Sequence, residues 1–164
     1  MIILIGFMGV GKSTVGHCLA HMMGWSFFDL DAHIESQHGP ISDIFSREGE
    51  SVFRQYEYEA LVSVTNKAEG VVATGGGVVT HSPSVSVLNA CHHIVWLRAS
   101  FDTITDRIAN DSTPRPLAHQ GLRDRWAQRT PMYESIATNC VDVDHQSPKQ
   151  IAQTILTHYG YTIN

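Results

Sequence analysis

Gly6-Phe7-Met8-Gly9-Val10-Gly11-Lys12-Ser13-Thr14 is the stretch on which the reading turns. It follows directly on an apolar run, Ile2 to Ile5. After it, Val15, Leu19, Met22 and Met23 fall at i, i+4, i+7 and i+8, one stripe of helical period that Gly24 closes as a C-cap. Strand, glycine-rich loop and helix form the setting in which G-x-x-x-x-G-K-[ST] cradles a phosphate. The chemistry asks for glycine because a Cβ would block both the unusual dihedrals and the close approach of backbone N–H groups to phosphate oxygens. The helix then aims the positive end of its dipole at the same anion. On this pattern Gly9, Val10, Gly11, Lys12, Ser13 and Thr14 bind a nucleotide. Lys12 reaches its outer phosphates and the Ser13 hydroxyl joins the shell of a Mg²⁺ ion.

Outward from the loop, short apolar runs alternate with longer stretches of helical period. Ser26 to Leu30, Val71 to Thr74, Ile94 to Leu97 and Cys140 to Val143 read as further buried strands. A helical block runs from His33 to Ala68, broken near Gly39-Pro40 and near Gly49. Ser147 and Pro148 open a last helix that turns Ile151, Ile155 and Leu156 inward. This alternation predicts an α/β fold, a parallel sheet with helices on both faces. Ligands of such sheets collect at the carboxyl ends of the strands. The phosphate loop, Asp29 and Asp31, and Gly75-Gly76-Gly77 all fall at such ends.

Composition narrows the rest. A chain of 164 residues has the length of one domain and enough bulk for a core without disulfide or metal staples. Eleven Lys+Arg against sixteen Asp+Glu leave a net charge of −5, which argues against a nucleic-acid partner. Lys12 interrupts the apolar amino terminus and no basic flank precedes it, so neither a signal peptide nor a spanning helix is expected and the reading is cytoplasmic. Cys18, Cys91 and Cys140 are far apart in apolar stretches and read as small buried hydrophobes. His17 and His21 have a zinc-capable i, i+4 spacing, but without H-E-x-x-H or an evident third ligand they read as a polar helix face.

A phosphate loop does not name the reaction, because GTPases, ATPases and small-molecule kinases share it. Asn66-Lys67-Ala68-Glu69 only partly resembles the base-reading segment of guanine-nucleotide switches. The acceptor side is more informative. If extended geometry persists through Asp29 and Asp31, both carboxylates project to one side. Asp29 then holds metal-bound water and Asp31 orients an incoming hydroxyl and accepts its proton. Three successive glycines, Gly75 to Gly77, imply a very close approach to the backbone or unusual dihedrals. Arg54, which Glu57 at i+3 can orient, and Arg129 suit bidentate recognition of a carboxylate. The polar, proline-flanked stretch around 111–122 reads as a mobile lid whose Arg115 could reach the transferred phosphoryl group.

In order and spacing these segments resemble shikimate kinase over nearly the whole chain. The matching pieces are Gly11-Lys12-Ser13-Thr14, Asp29-Leu30-Asp31, Ile44-Phe45, Gly49-Glu50 with Phe53-Arg54 and Glu57, the glycine triplet, Arg115-Pro116-Leu117, and Arg129 with Pro131 and Tyr133. The resemblance implies a P-loop NTPase fold like that of nucleoside monophosphate kinases, a three-layer αβα domain with a five-stranded parallel sheet in the order 2-3-1-4-5. It implies ATP-dependent phosphorylation of the shikimate 3-hydroxyl with Mg²⁺, by a monomer. Carried onto this sequence, Asp31, Arg54, Gly76 and Arg129 bind shikimate, with Gly75 and Gly77 beside it and Phe45 and Phe53 walling the ring. The region 32–60 would form the substrate-binding part. Lys12 and Arg115 stabilise the phosphoryl group, and Ser13 and Asp29 serve the metal. Two departures stand out: the arginine common beside the adenine appears as Arg107, slightly shifted, or is replaced by Ile108, and Gln146 stands where many relatives carry a basic residue. Another small-acid kinase, such as a gluconate kinase, and a non-catalytic nucleotide-binding regulator are the alternatives that the residues leave open.

Overall fold

The structure, a computed structural model, describes residues 1–67, 69–110 and 121–161. Its centre is β1 (Ile2–Ile5), whose four side chains are all buried. A strand covered by helices on both faces has no solvent side, which is why this one reads as an unbroken apolar run. From β1 the chain passes through the glycine loop into α1 (Lys12–Met23), then β2 (Phe27–Asp29), α2 (Leu30–His38), α3 (Ile41–Arg47) and α4 (Glu50–Thr65). It continues with β3 (Val71–Ala73), a 3₁₀ turn (Val78–Thr80), α5 (Ser82–Asn89), β4 (Ile94–Arg98) and α6 (Phe101–Ala109). The last elements are α7 (Leu122–Ile136), β5 (Asn139–Asp142) and α8 (Pro148–His158).

The five strands are parallel in the order β2-β3-β1-β4-β5, the order expected above. Ile3 pairs with Val72 on one side and Ile94 on the other. The chain therefore switches direction across the sheet beside β1, and the loop after β1 opens at that switch, where ligands of such sheets bind. The edge strands are only partly buried. Cys140 on β5 is consequently exposed, and Cys18 and Cys91 are half-buried, so the expectation of three buried cysteines is corrected; all three are free thiols. An edge strand keeps one face and one backbone rim toward water, and an apolar neighbourhood in sequence does not change that. His17 and His21 lie on the exposed face of α1, His17 against the Phe27 ring.

Breaks in the helical block fall at Gly39-Pro40 and at Gly49, as read. The block starts earlier than His33, because the Asp29 side chain accepts from the Ala32 N–H and opens α2 at Leu30. Along α4, Phe53, Arg54, Glu57, Ala60, Leu61 and Val64 form the inward stripe. Two charged residues thus lie on a buried face, where each needs a partner. Among the described residues no helix is long and apolar enough to cross a membrane.

Candidate active site

Two glycines of the first loop explain its shape. Gly6 has φ +144°, and a Cβ there would stand 2.6 Å from the Leu97 carbonyl oxygen of β4. Gly11, at φ +99°, is the residue from which α1 starts, and the first turn of α1 carries no acidic side chain. The amino end of α1 therefore keeps its positive character. Lys12 is 9% exposed and donates from Nζ to the carbonyls of Gly6, at 2.9 Å, and Phe7, at 3.0 Å. Its ammonium is thereby held over the cradle. Gly9 to Thr14 line a cavity of about 650 Å³ together with Asp29, Asp31, Gly76, Arg107 and Gln146. Arg107 comes from α6 and donates to the carbonyls of Val10, at 2.7 Å, and Val143, at 3.4 Å, so the guanidinium tethers the loop to the segment after β5.

The two aspartates meet at this cavity by a different route from the one expected. Strand geometry stops at Asp29, and Asp31 lies in the first turn of α2. Helical turn, not strand alternation, brings both carboxylates to the cavity wall. Ser13 Oγ donates to Asp29 Oδ2 at 2.5 Å, and the other oxygen of Asp29 caps α2. Asp31 Oδ1 is sealed from solvent with no hydrogen-bond partner among the described residues, as is Glu57 Oε1. Burial above all pushes the Asp31 carboxyl up to about 7; Glu57 and Asp29 push the same way, while Lys12 and Arg54 oppose them.

The glycine triplet is explained by close approach, not by dihedral freedom, since none of the three has a positive φ. Each faces something different. A Cβ on Gly75 would stand 2.2 Å from Glu57 Oε1 and 2.9 Å from Asp31 Oδ1. One on Gly76 would be 3.0 Å from the Met8 nitrogen of the phosphate loop, and one on Gly77 would be 2.0 Å from Arg54 Nη2. Three side chains here would drive apart the carboxylates, the phosphate loop and the guanidinium.

Arg54 and Arg129 are 7% and 5% exposed and converge on this triplet. Arg54 Nη1 donates to Glu57 Oε2 at 2.7 Å and Nη2 to Glu50 Oε1 at 2.9 Å, while Nε is buried without a partner among the described residues. Burial works to lower the proton affinity of Arg54, but the two glutamates outweigh it and hold it above its ordinary value. Arg129 Nη1 donates to the Gly76 carbonyl at 3.2 Å, and the Tyr133 hydroxyl, one turn along α7, donates to the same oxygen. Phe53 and Phe45 face each other with ring centroids 4.9 Å apart, and the Arg54 guanidinium carbon is 5.2 Å from the Phe53 ring centre.

The sequence-derived residues thus form two neighbouring groups. One surrounds the cavity after β1. The other, with Arg54, Arg129, Gly75, Gly77, Phe45 and Phe53, lies outside the lining of that cavity and is joined to it through Asp31 and Gly76. Arg115 and most of the expected lid, 111–120, lie outside the described residues. Four participants were given no role from sequence. Glu50 sits four residues before Arg54, a helical spacing that could have revealed the pair. The Tyr133 contact with Gly76 and the Pro148 and Ile151 walls of the cavity are long-range and carry no local signal.

The family model described as shikimate kinase matches residues 8–159. A shikimate kinase of Moorella thermoacetica is 39% identical over 157 residues, covering 94% of this chain and 91% of its own length. A solved shikimate kinase from Acinetobacter baumannii, in complex with shikimate, superimposes with a TM-score of 0.90 at 34% identity and covers 96% of this chain and 91% of its own. A gluconokinase from Sinorhizobium meliloti shares the fold at a TM-score of 0.65 and 20% identity, over 97% of this chain and 90% of its own.

Proposed function

The chain belongs to the shikimate kinase family, and from that premise we propose that it transfers the terminal phosphoryl group of ATP to the 3-hydroxyl of shikimate, giving shikimate 3-phosphate and ADP on the route to aromatic amino acids. The observation that carries this reading is the position of Gly76. Its backbone abuts Met8 of the phosphate loop while its carbonyl receives Arg129, and its neighbour Gly77 packs on Arg54. Two buried guanidinia therefore lie next to the glycine loop after β1, the juxtaposition that gripping a carboxylate beside a phosphate cradle asks for.

In this mechanism Lys12 leaves the Gly6 and Phe7 carbonyls for the outer phosphates, and Gly9 to Thr14 wrap the rest of the chain of phosphates. Arg107 and Gln146, which line the same cavity, take the adenine end of the nucleotide in this reading. Arg54 and Arg129 take the substrate carboxylate, the backbone of Gly75 to Gly77 receives its polar face, and Phe45 and Phe53 wall the ring. Asp31 accepts the hydroxyl proton. The Ser13 hydroxyl and the Asp29 carboxylate, hard oxygen donors 2.5 Å apart on the cavity wall, fit a Mg²⁺ ion that keeps several waters. That ion supplies neutralisation of phosphate charge. Arg115, read from sequence alone, adds a second positive charge there. Residues 1–164 are read as one domain, with a substrate-binding part at about 32–60 and a lid at about 111–122, acting as a cytoplasmic monomer.

An ATP-coupled ADP-release assay over shikimate, gluconate and nucleoside monophosphates tests the reading. Shikimate-dependent release is expected. Turnover of gluconate alone would transfer the site to the gluconate reading, and nucleotide binding with no turnover would make the chain a regulator.

A further inference from the structure

Arg54 is held by two glutamates of unequal standing. Glu57 is wholly buried and pairs with Nη1, whereas the Glu50 side chain is 50% exposed, on the first turn of α4, and pairs with Nη2. A carboxylate grips a guanidinium bidentately across two neighbouring nitrogens, either Nε with Nη2 or Nη1 with Nη2. Nη2 belongs to both edges, so Glu50 holds the one atom that every bidentate arrangement needs. The remaining donor, Nε, is buried and has no partner among the described residues.

Building on the function proposed above, we infer that Glu50 is an internal stand-in for the substrate carboxylate, occupying the Arg54 head until an acidic ligand displaces it and so setting the affinity for that ligand. The asymmetry of the two glutamates supports the exchange. Glu57 has no solvent to move into, while Glu50, already half in water, can swing outward and be rehydrated, and the incoming carboxylate then takes its place so that the buried guanidinium is not left unpaired. Glu50 also acts beyond Arg54. Burial chiefly depresses the proton affinity of Arg129 and Arg54 depresses it further, whereas Glu50 raises it, so its charge lies within the field of both guanidinia. A half-exposed anion in contact with one buried cation and within the field of a second takes the electrostatic place that a substrate carboxylate would take. Glu50 is therefore an affinity-setting residue that competes with a ligand carboxylate for Arg54, and a ligand without a carboxylate has nothing to displace.

The test is calorimetric titration of the full chain, and of Glu50→Gln and Glu50→Asp, with shikimate and with its uncharged methyl ester. Glu50→Gln is expected to tighten shikimate binding about two- to fivefold, with less than a twofold gain for the ester. Glu50→Asp keeps an acidic residue in the first turn of α4 but falls one methylene short of Arg54, and it should also tighten shikimate binding. Unchanged or weaker shikimate binding by Glu50→Gln would overturn the inference, as would an equal gain for the ester. Tightening confined to Glu50→Gln would likewise refute it, since a general charge effect, not the contact with Nη2, would then be responsible. Absence of shikimate binding and turnover in the parent chain would instead overturn the functional reading beneath it.

Discussion

In the mechanism proposed above Asp31 takes a proton from an alcohol, and an ordinary carboxylate is too weak a base to do this well near neutral pH. Burial is the largest correction, with Glu57 and Asp29 adding repulsion against Lys12 and Arg54, and the carboxyl is pushed up to about 7. The sign of the consequence is fixed: below that value the carboxyl is protonated and cannot accept, so kcat/KM should fall about tenfold for each pH unit on the acid side. A pH–rate profile flat from pH 5 to 8 would remove Asp31 as the base. Asp31→Asn should lower kcat by about 10² to 10⁴-fold, with ATP affinity retained. Arg129 makes a different prediction. As a buried donor fixed on Gly76, its replacement by Ala should remove about 1.5 to 3 kcal/mol of charged hydrogen bonding and raise the KM for shikimate correspondingly. Unchanged KM in steady-state kinetics would separate Arg129 from the carboxylate.

At the scale of elements, single side chains decide where helices begin, and those beginnings position the chemistry. Asp29 ends β2, caps α2 and receives Ser13 from α1, so one carboxylate joins three elements at the cavity. The amino end of α8 is built comparably. Ser147 Oγ accepts from the Gln150 N–H at 3.3 Å, and Gln150 Oε1 accepts from the Ser147 N–H at 2.9 Å, a reciprocal capping box with Pro148 behind it. Because α8 packs on α1 and carries Pro148 and Ile151 to the cavity wall, its cap matters to both stability and site. Ser147→Ala should cost about 1 kcal/mol of unfolding free energy in urea denaturation. A midpoint identical to the parent's would show that the cap is redundant.

For the whole molecule, ligand binding and folding are linked, since both halves of the site are assembled from elements far apart in sequence: β1 with α1, α2, the β3 triplet, α4 and α7. A ligand that binds the folded chain at 100 times its Kd adds about 2.7 kcal/mol of stability. For a chain of this size that amounts to a rise in Tm of roughly 5 to 10 °C, measurable by a thermal shift with Mg²⁺ and a non-hydrolysable ATP analogue. No shift at saturating nucleotide would contradict the phosphate loop as a functional cradle.

Local signals were enough for the strand–loop–helix unit of residues 2 to 23, the breaks near Gly39 and Gly49, and the final helix opened by Ser147 and Pro148, because turn chemistry, capping and periodicity act over a few residues. They also named Asp31, Arg54 and Arg129 as residues whose chemistry called for one another. Where local signals ran out is equally plain. The sequence could not say that Asp31 would reach the cavity from a helix and not a strand, that Cys140 would lie on an open edge, or that Gly75, Gly76 and Gly77 would each face a different group. Those outcomes depend on which elements pack together. Burial, close approach and the electrostatic field at a carboxylate are sums over neighbours distant along the chain, and only the folded arrangement brings those neighbours within range.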